Sequence, residues 1–255
     1  MHTAGLLLHL ATVASAAPLL YSEGVATLSD GTPAYRELHW RREAAEGSPR
    51  WVQYLCPDGR PFARKTLPGT AQAQARGYQL QDGRSGQAAR VAVEGSQIRI
   101  NWKESSGEPE RQARLALPPG AVIDAGFDAA VRAHWQALMQ GDEVRLPFLV
   151  PARQRFYPVR VRRSAAVRWQ GVPAQAIEVR LDTWYGAVAP RLSLVYADAD
   201  RRLLEFRGTS NLRDAGGSYP IVTVRFAMPA APQPAVQWQQ AWAQPLVASC
   251  AVTAR

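Results

Sequence analysis

The chain has 255 residues and a formal net charge of +9. This length fits one large domain, which can bury a core without a dense set of disulfides. Only two cysteines are present, which excludes a disulfide-rich scaffold and a cysteine-based zinc site. Nearly all the basic residues are arginines, for which codon bias in a GC-rich genome and attraction to an anionic envelope surface are alternative explanations. They are interleaved with aliphatic strand residues, so we expect no nucleic-acid partner.

The amino terminus has the features of an export signal. Residues 6–13 form a short apolar run, followed by the small-residue pattern Ala14-Ser15-Ala16. The run is too short to span a bilayer. We therefore predict a signal peptide at residues 1–16 and a soluble protein that is periplasmic or secreted after cleavage. A disordered apolar terminus on a cytoplasmic protein is the alternative.

Most of the remaining chain alternates between strand-like runs and turn signals. In residues 97–103, Ile98, Ile100 and Trp102 alternate with polar residues, which is typical of an antiparallel sheet with one solvated face. Short connections favour antiparallel neighbours. Strands are predicted at residues 35–42, 51–56, 61–67, 78–81, 88–93, 97–103, 111–117, 144–150, 157–161, 177–181, 192–196, 203–208 and 220–226.

Residues 124–140 carry the one convincing helical period of the chain. Phe127, Val131, His134 and Leu138 fall on one stripe, which predicts a buried helix face. Asp124 is a candidate for the amino-terminal cap and Gly141 for the carboxyl-terminal cap.

The tail at residues 229–255 is predicted to be extended, with a short helix at 236–243. Cys56 and Cys250 are either a disulfide or two separate thiols.

A lone helix between two sets of strands must bury its stripe against a sheet that both halves supply. We therefore predict a mainly β (α+β) fold, in which a curved, mostly antiparallel sheet or half-barrel wraps around one central helix. Residues 17–255 would form this single β-rich domain, which we expect to be a monomer. A sheet of so many strands must curl or split.

The chain resembles a known family in the order of its strands and helix, and three segments contribute to this resemblance. They are Cys-Pro-Asp-Gly at 56–59, Phe-Asp-Ala-Ala-Val-Arg-Ala-His-Trp at 127–135, and Gly-Thr-Ser-Asn-Leu-Arg-Asp at 208–214. An exported chain with strands, one helix and further strands resembles the half-barrel of the LolA and LolB lipoprotein carriers and the exported proteobacterial families related to them. No binding residue of those carriers can be matched to a position here. Unlike LolB, the chain has no lipidation cysteine after its apolar run, so the resemblance implies a soluble carrier or binder.

The eight tryptophans and other large apolar side chains suggest an apolar pocket between helix and sheet, with a filled core as the alternative. The pocket would take an apolar or amphipathic envelope molecule such as a lipid or lipoprotein. Its predicted lining is Phe127, Val131, Trp135, Leu138, Trp102, Phe148 and Val159.

Catalytic motifs are sparse, and we expect neither an enzyme, nor a metal, nor a cofactor. His39 and His134 are the histidines that would remain after signal cleavage, and no zinc-binding spacing occurs. Ser210 lacks the surroundings of a nucleophile elbow. One alternative is an envelope hydrolase that uses His134 or a carboxylate pair, either Asp142 with Glu143 or Glu178 with Asp182. Another is an outer-membrane barrel, although Arg145, Arg160, Arg162 and Arg180 on the outward stripes disfavour it.

Overall fold

The computed structural model describes residues 18–42, 47–182 and 191–250. The predicted signal peptide lies outside these residues. The strands are β1 (Leu19–Leu28), β2 (Pro33–Arg41), β3 (Arg50–Leu55), β4 (Pro61–Leu67), β5 (Tyr78–Asp82), β6 (Ala88–Glu94), β7 (Gln97–Lys103), β8 (Arg111–Ala116), β9 (Val144–Val150), β10 (Arg155–Trp169), β11 (Val172–Leu181), β12 (Leu192–Ala197), β13 (Leu203–Thr209), β14 (Ile221–Arg225) and β15 (Ala231–Gln233). The helices are α1 (Phe127–Ala133), α2 (Trp135–Gln140) and α3 (Ala235–Ala243), with 3-10 turns at Asp124–Gly126 and Pro151–Arg153.

The strands form one large antiparallel sheet. Its order is β8-β7-β6-β5-β4-β3-β2-β1-β14-β13-β12-β11-β10-β9, and β15 pairs with β1. Within the described residues β8 and β9 are the two edges, so the sheet curves without closing. The accumulated twist of so many strands prevents a flat arrangement. The prediction of a mainly β fold with a curved antiparallel sheet is confirmed.

Strand β1 joins the two halves of the sheet. One side of β1 pairs with β2, while the other pairs with β14 through Val25–Leu28 and with β15 through Leu19–Tyr21. Gly24 allows a close approach there, because a Cβ at this position would lie 2.6 Å from a ring carbon of Phe226. This strand was absent from the sequence prediction.

The helical segment connects the two edges of the sheet and is divided at His134. The backbone of His134 has φ −99° and ψ 12°, so α1 and α2 replace the single predicted helix. Gly141 caps α2 with a φ of 95°, as predicted. Asp124 does not cap the helix, because α1 has Gly126 at its amino-terminal cap position and no side-chain cap.

The apolar stripe of the helical segment packs against the second half of the sheet. Phe127, Val131, Trp135 and Leu138 form a buried cluster with side chains of β9 to β12 that include Leu146, Val159, Val161, Ile177, Val179, Leu194 and Tyr196. His134, predicted on this stripe, is only half-buried because the break turns it away and brings Trp135 into the core.

The carboxyl-terminal segment covers the outer face of β1 to β3. Helix α3 spans Ala235–Ala243, where the sequence predicted a short helix at 236–243. The ring centroids of Trp51 and Trp238 lie 4.9 Å apart, and the Gln53 amide donates a hydrogen bond of 2.8 Å to the Ala241 carbonyl. Beyond α3, a disulfide joins Cys250 to Cys56, with 5.4 Å between the Cα atoms. Across the described ranges, no helix is both long and apolar enough to cross a bilayer.

Candidate functional site

A cavity of about 1330 Å³ lies between the concave face of the sheet and the helical segment. Ligand pockets typically measure roughly 300–1,000 Å³. This space is therefore at least as large as a ligand pocket and larger than the voids that a packed core leaves. Apolar side chains contribute much of its wall: Leu20, Val52, Leu67, Leu80, Trp102, Phe127, Phe148, Leu194, Phe206, Val224 and Phe226. The space is therefore suited to an apolar molecule.

The cavity lies on the side of the helical segment that faces away from its apolar stripe. Of the seven predicted lining residues, Trp102, Phe127 and Phe148 contribute to the wall. Val131, Trp135, Leu138 and Val159 do not line it, because they fill the core between the helices and β9 to β12. For these four the prediction is wrong: the apolar stripe seals the segment to the sheet, and the opposite side, with Ala125, Asp128, Ala129 and Arg132, faces the open space.

A buried ion pair fixes the start of the helical segment to the sheet. Lys65 on β4 donates hydrogen bonds of 2.9 Å to both carboxylate oxygens of Asp124, and both side chains are nearly inaccessible to solvent. Burial by itself would raise the pKa of Asp124, but the Lys65 charge and hydrogen bonds from Lys65, the Ala125 amide and Asn211 outweigh it and lower the pKa. Asp124 is held at a φ of 48°, in the left-handed region. This backbone conformation directs the carboxylate to Lys65 instead of the helix terminus.

Residues 210–220, here named the end loop, close one end of the cavity. The Ser210 hydroxyl of this loop shares a hydrogen bond of 3.2 Å with the Tyr35 hydroxyl on β2. The Asn211 amide donates to Asp124 at 3.2 Å, and the Asn211 carbonyl accepts a bond of 3.0 Å from the Gln87 amide. Leu212 is buried beside them. These contacts tie the end loop into the cavity wall.

A second polar cluster anchors the other part of the end loop. Glu104 accepts hydrogen bonds of 2.7 Å from the Trp102 indole and 2.9 Å from the Tyr219 hydroxyl, and it also pairs with Arg213. Burial would raise the pKa of Glu104, but these three hydrogen bonds lower it. The carboxylate is consequently held in its charged form by neighbours that belong to both the sheet and the loop.

Polar side chains alternate along the cavity face of β2. Tyr35, Glu37, His39 and Arg41 line the cavity, whereas Leu38 and Trp40 point to the outer face. His39 and Glu37 are joined by a contact of 2.9 Å between Nε2 and Oε2. At the end of β2 farthest from the end loop, Arg41 lies opposite Arg50 on β3. The cavity wall therefore carries polar groups on β2 as well as apolar side chains.

The residues proposed for hydrolysis lie elsewhere. His134 is at the break between α1 and α2, outside the cavity wall. Asp182 accepts contacts of 3.1 Å from Arg145 and 3.0 Å from Arg160, and Glu143 belongs to the same surface network. Glu178 pairs with Arg162 and Arg180. These carboxylates therefore pair with surface arginines, away from the cavity wall.

Sequence reasoning missed several residues of the cavity wall. Lys65, Arg41 and Arg50 were not singled out, although Lys65 is one of only two lysines in the sequence. The sequence shows that residues 35, 37, 39 and 41 alternate with Leu38 and Trp40, but it does not show that the first set lines a cavity. The carboxyl-terminal segment covers the outer face of β2, and the other face lines the cavity. Among the described residues, no group of three or more histidine, cysteine or acidic side chains is placed to hold a metal ion.

Comparisons with known proteins identify a structural neighbour. No family model matches the sequence, and no curated protein matches it significantly. The chain is similar to a crystal structure described as a β-barrel-like protein of the domain of unknown function DUF1849, from Brucella abortus. The two are 8% identical, with a TM-score of 0.45, and the alignment covers 86% of this chain and 100% of the other.

Proposed function

We propose that this protein is a non-catalytic binder or carrier of an apolar or amphipathic molecule of the cell envelope, such as a lipid. The observation that carries the proposal is the cavity of about 1330 Å³, to whose wall both halves of the sheet contribute apolar side chains. An apolar molecule that leaves water for such a space gains roughly 25 cal/mol per Å² of apolar surface buried. The resemblance to the LolA and LolB half-barrels is part of the same proposal.

Several features support a location in the envelope. A disulfide between Cys56 and Cys250 is expected to persist in an oxidising compartment and to be rare in the cytosol. The predicted signal peptide and the net charge of +9 accord with export and with attraction to anionic envelope surfaces. On the face opposite the core, arginines of β9 to β11 form ion pairs, which favours a water-facing surface over a lipid-facing one. We propose a soluble, monomeric protein with no nucleic-acid partner.

The binding test compares two alanines of α1. Ala129 is buried and lines the cavity, whereas Ala133, one turn further along, is exposed and outside the wall. The purified, disulfide-bonded protein is titrated with N-phenyl-1-naphthylamine, a neutral apolar dye whose fluorescence rises in apolar surroundings. We expect saturable binding, roughly tenfold weaker in Ala129→Trp because the new ring occupies the space, and unchanged in Ala133→Trp.

Two results would contradict the proposal. Flat titrations of the wild-type protein with the dye and with long-chain lipids would remove the binding function. Equal dye affinity in both tryptophan variants would show that the dye binds outside the cavity. Circular dichroism and thermal unfolding of each variant establish that the fold is retained.

A further inference from the structure

Two buried tyrosines of the cavity wall have hydroxyls that form no hydrogen bond within the part of the chain that the structure describes. Tyr54 on β3 is 3% exposed and Tyr78 on β5 is 5% exposed. Both side chains line the cavity, and neither hydroxyl oxygen is completely enclosed by protein atoms. A molecule in the cavity can therefore reach both oxygens.

The hydroxyls of two other tyrosines are satisfied by carboxylates. Tyr196, which is fully buried, donates a hydrogen bond of 2.9 Å to Asp128, and Tyr219 in the cavity wall donates one of 2.9 Å to Glu104. A buried hydroxyl without any partner is unfavourable. An apolar molecule that displaces water from an unpaired hydroxyl loses the hydrogen bonds of that water, whereas a ligand with a polar group can replace them.

The two unpaired hydroxyls belong to a polar cluster beside the end loop, here named the hydroxyl cluster and consisting of Tyr35, Tyr54, Tyr78 and Ser210. The ring centroids of Tyr35 and Tyr54 lie 6.0 Å apart, and Tyr35 shares its hydrogen bond with Ser210 of the end loop. The charge of Asp124 acts on both Tyr54 and Tyr78, and Tyr54 acts on Tyr78. The four hydroxyls are consequently within reach of one ligand group.

The hydroxyl cluster has one further proton that the hydrogen bonds among the described residues do not use. Tyr35 and Ser210 share one hydrogen bond of 3.2 Å, and the Ser210 oxygen also accepts a bond of 3.1 Å from the Leu212 amide. The shared bond uses one of the two hydroxyl protons, so the other remains whichever oxygen is the donor. Both residues line the cavity. The cluster therefore offers mainly hydrogen-bond donors.

The surrounding charges favour an uncharged partner for these donors. Burial raises the pKa of Tyr54, and the charges of Glu37 and Asp124 raise it further. Arg50 lowers this pKa by a smaller amount. The hydroxyl consequently keeps its proton at neutral pH, and an anion beside it would be repelled by the same two carboxylates. The positive charge of Lys65 is already paired with Asp124 at 2.9 Å.

We infer that the ligand carries an uncharged carbonyl group, an ester or an amide, whose oxygen accepts hydrogen bonds from the Tyr54 and Tyr78 hydroxyls. A carbonyl oxygen has two lone pairs and can accept both bonds. The apolar chain of the ligand extends away from the end loop, along Val224 on β14 and Phe226 beyond it, which both line the cavity. The inference rests on the proposed binding function and adds the chemistry and the orientation of the ligand.

The experiment displaces N-phenyl-1-naphthylamine from the full disulfide-bonded protein with four competitors that each have twelve carbons. Methyl undecanoate carries an ester, dodecanamide carries an amide, dodecanoate carries a charged carboxylate, and dodecane has no polar group. The test variant is Tyr54→Phe/Tyr78→Phe, which removes the two hydroxyls and keeps the rings. The matched control is Tyr21→Phe/Tyr157→Phe, which removes two tyrosine hydroxyls outside the cavity wall.

We expect the ester or the amide to bind roughly tenfold more weakly to the test variant than to the wild-type protein, because two hydrogen bonds are lost. The affinities of the test variant for dodecane and the dye are retained. The control variant binds every competitor as the wild-type protein does. The carbonyl competitor whose affinity falls more in the test variant identifies the group as an ester or an amide.

A second measurement reports the hydrogen bonds directly. Methyl undecanoate labelled with carbon-13 at its carbonyl is bound to each protein, and its carbonyl stretching band is recorded by infrared spectroscopy. Hydrogen bonding moves this band to lower wavenumber. We expect the lowered band in the wild-type protein and in the control variant, and a return toward its position in an alkane solvent in the test variant. A merely structural role of the two hydroxyls would not move the band.

An equal affinity of the wild-type protein and the test variant for both carbonyl competitors would overturn the inference and leave the binding function intact. Tighter binding of dodecanoate than of both carbonyl competitors by the wild-type protein would also overturn it, as would a carbonyl band at its alkane position. Failure of the dye and of all four competitors to bind the wild-type protein would instead remove the binding function. If the double variant does not fold, Tyr54→Phe is compared with Tyr21→Phe by the same criteria.

Discussion

The role of Asp124 is determined by partners that are distant from it in the sequence. Its position before an amphipathic run is typical of a helix cap. In the structure its carboxylate instead forms a buried pair with Lys65, at the cost of a left-handed backbone conformation. An ionised lysine without an acid beside it would be strongly unfavourable in this buried position. The tertiary pair therefore outweighs the local capping preference.

We predict that Asp124→Asn destabilises the protein by about 3 kcal/mol at neutral pH, because it leaves the Lys65 charge buried without its partner. Asparagine tolerates the left-handed conformation, so the loss reports the missing charge. Urea unfolding at pH 7 measures it. Asp200→Asn, on an exposed turn, is the control and should change the free energy of unfolding by less than about 1 kcal/mol.

The pH dependence of the same variant provides a second measurement. The pKa of Asp124 is lowered in the folded protein from its ordinary value of 3.8. A lowered folded pKa contributes stability that is present above the unfolded value and is lost as the pH falls through the folded value. The difference between the wild-type protein and Asp124→Asn should therefore narrow below about pH 4. A difference independent of pH in this range would contradict the assignment of Asp124 as the charged partner of Lys65.

At the scale of elements, the carboxyl-terminal segment stabilises a face of the sheet that the cavity does not use. Helix α3 packs on the outer side of β1 to β3, where Trp51 meets Trp238, and the disulfide links residues 194 positions apart. Closing so long a loop removes conformational freedom from the unfolded chain. The concave side of the same strands lines the cavity. The stabilising contacts of the carboxyl-terminal segment and the proposed binding cavity therefore lie on opposite faces of β1 to β3.

We predict that Cys56→Ala/Cys250→Ala lowers the free energy of unfolding by roughly 2–4 kcal/mol and leaves dye affinity unchanged at temperatures where the variant is folded. Urea unfolding and dye titration measure the two effects. Reductant should reproduce the loss in the wild-type protein and have no effect on the variant. A parallel loss of dye affinity would show that the disulfide shapes the cavity.

For the whole molecule, β1 is the element through which the two halves of the sheet depend on each other. It pairs with β2 of the first half and with β14 of the second. Cavity walls are contributed by both halves, from Leu80 on β5 to Leu194 on β12. A shared strand and a shared cavity favour a single cooperative unfolding transition.

We predict that Gly24→Val destabilises the whole sheet by roughly 1–3 kcal/mol, since the added side chain would overlap the Phe226 ring. In urea, tryptophan fluorescence and far-ultraviolet circular dichroism should shift together, because one transition is affected. Gly24→Val/Phe226→Ala should recover part of the loss by removing the overlap. Separate transitions for the two signals would contradict the cooperative behaviour.

The strands of this protein could be predicted where alternation and turns are local. β4, β7 and β9 have the predicted bounds, because Pro-Asp-Gly, Glu-Gly-Ser and similar turns delimit alternating runs. β1 was missed because its buried positions include Gly24 and Ala26, whose small side chains produce no hydrophobic alternation. At Gly24 the absence of a side chain is required by Phe226 and Val224, whose side chains a Cβ would overlap. This constraint is visible only after the strands are paired.

The candidate site was predictable only in part for the same reason. Periodicity identified the apolar stripe of the helical segment but not which of its sides faces an empty space. The sequence by itself determined a curved antiparallel sheet around a buried helical segment, since alternation, turns and amphipathic period act between near neighbours. Only the tertiary structure decided the position of the cavity, the Lys65–Asp124 pair and the opposed arginines, because sheet curvature and strand register bring together residues far apart in the chain.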